Sequence, residues 1–165
     1  TRDVVGRIRK FPMKRALRIS KLPLAALEAT LRLYLHPERL TKDLPTLRLL
    51  TRPADQIRAL ARQLQPAVAE AVAPRFTVNV TDLMGQIGSG SLPVERLPSA
   101  GVAIASTAGK KGSGRALDEL ATALRRLPRP VIGRIAEDRL LLDLRGLEVP
   151  SQLTDQLIEL RAALA

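Results

Sequence analysis

The sequence predicts an α+β protein: a sheet of about four strands with helices packed on one face, preceded by a basic arm and long linking helices. Three observations carry this reading. Phe76, Val78 and Val80 alternate with polar residues, the two-residue period of a half-buried strand. Leu24, Leu27, Leu31 and Leu35 instead recur at i, i+3, i+7 and i+11, an amphipathic helical stripe. After residue 75 the segments follow the order strand, strand, helix, strand, strand, helix, which suits an antiparallel or mixed sheet covered on one side.

Taken in order, Arg2–Lys10 reads as a short basic helix with Val4, Val5 and Ile8 on one face, ended by Pro12. Residues 13–21 read as irregular. Pro23 suits the first position of the next helix, which Pro37 closes. Residues 38–52 read as a connection with a short apolar piece at Leu47–Leu50, and Thr51 as an N-cap near Pro53. A helix from Ala54 carries Ile57, Leu60, Ala61 and Leu64. Pro66 is expected to kink or restart it before Val68–Val72. Strands are expected at 75–82 and 101–105, with a Gly/Ser loop at Gly85–Ser91. Gly109–Gly114 reads as a flexible loop and Leu117–Leu127 as a helix facing inward through Leu117, Leu120, Ala121 and Leu124. A hairpin joins 131–135 to 139–144 around Ala136, Glu137 and Asp138, and 150–164 forms the last helix. The boundary between arm and module is set at residues 52 and 53.

Composition narrows the chemistry. The chain has 165 residues, no Cys and one His, so neither a disulfide framework nor a Cys/His metal site is expected. No apolar run approaches the roughly 20 residues that span a bilayer, and no secretory signal is read at the start, so a cytoplasmic protein is expected. Net charge is +11, and it is uneven. Residues 1–52 hold 13 bases and 4 acids; residues 53–165 hold 14 bases and 12 acids. Eight of the first 21 residues are basic: Arg2, Arg7, Arg9, Lys10, Lys14, Arg15, Arg18 and Lys21. Such a cluster on a rigid element suits phosphate or another anion. With aromatic residues at 2%, phosphate-backbone contact is a better expectation than base stacking.

Few residues suggest catalysis. The single His36 precedes Pro37 at a helix end, where solvation explains it. Asp138 and Asp143 read as a turn acid and a strand-edge acid. The segment Gly85-Gln86-Ile87-Gly88-Ser89-Gly90 looks like a phosphate cradle but lacks the following helix, and a tight turn explains it as well. Arg15 and Arg18, three residues apart, are better placed. Two converging guanidinium groups can clamp a tetrahedral oxyanion through bidentate hydrogen bonds, and a solvated basic face is the alternative.

Longer strings carry a family resemblance. Lys14-Arg15-Ala16-Leu17-Arg18, Lys21-Leu22 and the run Leu24 to Tyr34 are followed by Pro45-Thr46-Leu47-Arg48. Then come Gly90-Ser91-Leu92-Pro93, Leu97-Pro98-Ser99, Pro130 to Ile135 and Asp138 to Arg145. In this order they resemble the bacterial selenocysteine synthases, the L-seryl-tRNA(Sec) selenium transferases, over nearly the whole chain. The resemblance implies the C-terminal portion of a fold type I pyridoxal 5′-phosphate enzyme, α/β overall. Residues 1–52 would end its large domain and residues 53–165 would form its small α+β domain. It implies conversion of seryl-tRNA(Sec) to selenocysteinyl-tRNA(Sec) with selenophosphate. It also implies a homo-oligomer and no membrane partner. Arg15 and Arg18 match family arginines that line the active site and hold the selenium donor. Arg7, Arg9, Lys10 and Lys14 are candidates for facing the tRNA. The Lys that carries the cofactor, in a Gly-Asp-Lys type motif, is absent and would lie upstream of Thr1. No catalytic residue is therefore expected in this chain, and alone it should be inactive. Ser20 replaces an acid expected after the Arg pair, and Gly88-Ser89-Gly90 replaces a run of three Gly. Three other readings stand beside this one: a free RNA-binding module, an assembly domain that associates through Leu24–Leu35, and a related pyridoxal-phosphate protein that has lost selenium transfer.

Overall fold

The structure, a computed structural model, describes residues 1–86 and 96–164. The chain divides into two compact units, Thr1–Arg48 and the remainder from Leu49.

The first unit is a series of short helical pieces. Helix α1 (Arg2–Lys10) leads into a 3-10 turn at Pro12–Arg15. Helix α2 (Lys21–Leu33) follows, then a turn at Pro37–Arg39, α3 (Leu40–Asp43) and α4 (Pro45–Leu50). Helix α2 starts two residues before the expected Pro23. Leu24 N–H bonds the Ser20 carbonyl, so Pro23 falls in the first turn, where a missing N–H leaves no bond unmade. The helix also stops before Leu35, which lies in the turn beyond it. The expected connection at 38–52 is largely helical, through α3 and α4. No residue of this unit is buried. Its large apolar side chains, Leu22, Leu17 and Leu35 above all, stand open.

The second unit has a core. Helix α5 runs unbroken over Ala54–Val72 with Pro66 inside it. The helix does not restart at Pro66: the buried face, from Ile57 through Leu64 to Val72, holds both halves against one surface, while Pro66 sits on the exposed side. Pro53, not Thr51, is the residue preceding the helix. Strands β1 (Phe76–Gln86) and β2 (Arg96–Ser106) pair antiparallel, with Phe76 opposite Ser106 and Gln86 opposite Arg96. Both are longer than expected, so Gly85 and Gln86 belong to a strand rather than a loop. Helix α6 (Lys110–Arg125) takes in most of the expected Gly109–Gly114 loop, with Gly109 as its cap residue. The buried Leu117, Leu120, Ala121 and Leu124 fix this helix to the core, and the small residues before them simply continue it.

Strand β3 (Arg134–Ala136) is shorter than expected, because the Val131 N–H bonds Leu124 at the end of α6 instead of joining the sheet. It returns to β4 (Arg139–Asp143) through Glu137 and Asp138, both at positive φ (52° and 55°), the conformation of a tight hairpin turn. The last helix is broken into α7 (Ser151–Thr154) and α8 (Leu157–Leu164). At the break, the buried Gln156 side-chain amide bonds both the N–H and the C=O of Arg129. The sheet is antiparallel throughout, in the order β1-β2-β4-β3. Phe76, Val78, Val102, Ile104, Leu140 and Leu142 point from one face into a single core with α5, α6 and α8. The α+β fold expected from the sequence is the fold observed.

Candidate anion-binding site

The basic arm is as exposed as its composition suggests. All eight bases between Arg2 and Lys21 are exposed, and none has an acidic partner among the described residues. Arg7, Arg9 and Lys10 lie in the last turn of α1, where a positive charge complements the helix dipole. Lys14 turns back and donates from Nζ to the Arg9 carbonyl. This hydrogen bond is the contact that draws two of the candidate residues together. Arg15 ends the 3-10 turn and Arg18 follows it in irregular backbone before α2. Their guanidinium groups make no hydrogen bond or ion pair among the described residues. Later bases of the same unit differ: Arg32 is held by Glu28 (2.9 Å) and Arg39 by Asp43 (3.1 Å). A positive charge without a neighbouring carboxylate is available to an external anion, and the arm concentrates such charges.

A second group of polar residues is not visible from sequence. At the end of β4, Arg145 donates from Nη1 to the carbonyls of Leu49, Leu50 and Arg52, each at 3.0 Å, and from Nη2 to Pro98. Arg52 returns the contact, donating to the carbonyls of Leu147 (2.8 Å), Arg145 (3.3 Å) and Leu144 (3.4 Å). The two arginines thus clasp Leu49–Arg52, at the start of the second unit, to the turn that follows β4. Beside them Asp143 accepts from the buried Ser99 hydroxyl at 2.6 Å and from the Arg145 N–H at 2.9 Å. The carbonyls held by Nη1 of each arginine lie more than 90 residues away in sequence, so no local pattern marks them.

The remaining candidates have modest roles. His36 is exposed, with Nδ1 3.7 Å from the Glu38 carboxylate. Asp138 shapes the hairpin turn. Of the glycine-rich segment, Gly85 and Gln86 lie in β1, and Ile87, Gly88, Ser89 and Gly90 lie outside the described residues. Among the described residues Glu119 is the one carboxylate with a clear shift. Hydrogen bonds from Arg75 and then Arg115 hold it below the usual carboxylate range. Among the described residues there is no group of His, Cys, Asp and Glu that could hold a metal ion, and no helix long and apolar enough to cross a membrane.

Comparison with known proteins agrees with the motifs. The family model described as L-seryl-tRNA selenium transferase matches residues 1–148. An L-seryl-tRNA(Sec) selenium transferase of Klebsiella pneumoniae (strain 342) is 54% identical over 157 residues, which is 95% of this chain and 33% of that protein. The protein of the same name from Escherichia coli (strain SMS-3-5 / SECEC) is 51% identical over 158 residues, 96% of this chain and 34% of that protein. That of Shigella boydii serotype 18 is 50% identical over the same length. The chain spans about a third of the length of these curated relatives. A match over nearly all of the chain at half identity leaves one conclusion: this chain belongs to the L-seryl-tRNA selenium transferase family.

Proposed function

We infer that the chain is part of a transferase that converts seryl-tRNA(Sec) to selenocysteinyl-tRNA(Sec) with selenophosphate, and that its own contribution is anion binding. The observation that carries this reading is the identity of about half over 95% of the chain to proteins named for that activity. The unpaired Arg15 and Arg18 support it, because selenophosphate is a tetrahedral oxyanion and two guanidinium groups suit its oxygens. Positive charge held at the donor also stabilises the phosphate as it departs. Arg7, Arg9 and Lys10 are free to meet tRNA phosphates, while Lys14 is partly engaged by the Arg9 carbonyl.

Pyridoxal phosphate would supply the electron sink for the reaction, and no lysine whose side chain is described fits the role of its carrier. A lysine bonded to that cofactor belongs in an enclosed pocket, whereas Lys10, Lys14, Lys21 and Lys42 are all exposed. The cofactor is therefore assigned to the rest of the protein, and the 165-residue chain by itself is expected to be inactive. The test is selenophosphate saturation in the full-length enzyme. Arg15→Ala and Arg18→Ala should each raise KM for selenophosphate at least tenfold with cofactor content unchanged. Unaltered turnover at limiting selenophosphate refutes the assignment.

A further inference from the structure

Arg145 ties separate segments of the second unit together with one side chain. Nη1 donates to the carbonyls of Leu49, Leu50 and Arg52, and Nη2 donates to Pro98 on β2. Arg52 answers with bonds to the carbonyls of Leu144, Arg145 and Leu147. The segment that receives most of these bonds is a junction. The chain leaves the first unit at Arg48 and enters the second at Leu49. Leu49–Arg52 is therefore the covalent attachment of the unit that carries Arg15 and Arg18.

Core filling does not account for this arrangement. Just beyond the junction Ile57 and Leu60 bury aliphatic side chains, and such contact is non-directional. At the junction two guanidinium groups are instead committed to backbone carbonyls, and hydrogen bonds of this kind fix the direction of the backbone that accepts them. Arg145 Nε is buried with no hydrogen-bond partner among the described residues. An unpaired buried donor opposes folding, so the side chain is oriented for its Nη contacts at the expense of its own Nε. Gly85 stands beside it, where a Cβ would lie 3.9 Å from that nitrogen. The backbone of Arg145 is anchored as well. Its N–H donates to Asp143 at 2.9 Å, and Asp143 also accepts from the buried Ser99 hydroxyl at 2.6 Å. The sheet thus holds Arg145, and Arg145 holds the junction.

We propose that Arg145, with Arg52, is a positioning residue for the transferase reaction: it seats Leu49–Arg52 and thereby sets how Arg15 and Arg18 are presented to the selenium donor. The proposal rests on the reading of those two arginines as the donor site. A released junction leaves the pair correctly presented for only part of the time, and apparent affinity for the donor falls by that fraction. A junction in place about a tenth of the time raises KM about tenfold and leaves the saturated rate near that of the wild type.

The experiment follows selenophosphate saturation and amide hydrogen exchange in the full-length enzyme with seryl-tRNA(Sec). Arg145→Gln should raise KM for selenophosphate about 5- to 20-fold, with kcat within about threefold and pyridoxal phosphate content unchanged. Exchange at residues 50–52 should rise in the same variant. Arg145→Lys should lie between it and the wild type. Arg52→Gln should act in the same direction, and it carries the test if Arg145→Gln does not fold. Combining the two should fall well short of the product of their effects, because both open one clasp. Combining Arg145→Gln with Arg15→Ala should also fall short of the product, because the first acts through the second. Ile104→Ala destabilises the same unit without touching the junction, and below its unfolding midpoint it should leave KM within about twofold. An Arg145→Gln KM within about twofold of the wild type, or unchanged exchange at residues 50–52, overturns the proposal. So does an Ile104→Ala increase as large as that of Arg145→Gln, which would make stability the cause. A fall in kcat at unchanged KM would place Arg145 in the chemistry and overturn it equally. The wild type separates this inference from the reading beneath it. Wild-type enzyme that converts no seryl-tRNA(Sec) refutes the reading and the inference together. Conversion by the wild type with an unmoved KM in Arg145→Gln refutes the inference alone.

Discussion

Replacing Arg145 by Ala should cost the second unit more than any other exposed or half-exposed residue. The side chain donates to four carbonyls, three of them at 3.0 Å through one Nη1. Because that nitrogen is shared, the set amounts to about two full charge-assisted hydrogen bonds, each contributing about 1.5–3 kcal/mol. Arg145 is only half buried, and water can reach some of the freed carbonyls, which reduces the sum by roughly half. The expected loss is about 1.5–3 kcal/mol. For a unit of this size each kcal/mol moves Tm by about 3–5 °C, so Tm should fall by roughly 10 °C. Thermal unfolding followed by circular dichroism, paired with urea titration, gives the value. Arg145→Lys should recover less than half, since an ammonium cannot spread over carbonyls on two sides as a planar guanidinium does. A loss below about 1 kcal/mol, or full rescue by Lys, would refute the clasp as a stabilising element.

Other outcomes follow from the same coordinates. Ile104→Ala, at a fully buried position between β1 and β4, should cost about 3–4 kcal/mol by urea denaturation. Gly101→Ala should disrupt the β2–β4 pairing and lower yield or Tm sharply, because its Cβ would sit 1.9 Å from the Leu142 carbonyl oxygen. Pro66→Ala should stabilise α5 by about 1 kcal/mol or more, since it restores a helical N–H on the exposed side, and Tm reports it. Glu119 has its folded pKa depressed by Arg75 and Arg115, so its contribution is present above the ordinary carboxylate range and is lost as pH falls through the lower folded value. Glu119→Gln should therefore flatten the acid side of a urea-midpoint versus pH curve; an unchanged acid limb would show the pairs to be without consequence.

Much of this architecture is written in local pattern. The alternation at Phe76, Val78 and Val80 marks the core face of β1, and the spacing of Leu117, Leu120 and Leu124 marks the buried face of α6. The errors came where tertiary contacts outweigh local preference. Pro66 is carried inside α5 by the packing of residues on both sides of it. Residues 110–114 extend a helix whose buried residues lie downstream, and Val131 is taken from the sheet by a bond to Leu124. The basic arm was legible because charge density needs no partner to be seen. The Arg52–Arg145 clasp was not, because its meaning depends on contacts made across more than 90 residues.

The most direct test of the functional account is conversion of seryl-tRNA(Sec) with selenophosphate by two preparations, the full-length protein that contains this chain and the 165-residue chain alone. Selenocysteinyl-tRNA(Sec) formed by the first, and none by the second even with pyridoxal phosphate added, is the predicted result. A full-length protein that binds its cofactor yet forms no product, or a 165-residue chain that turns over unaided, would contradict it.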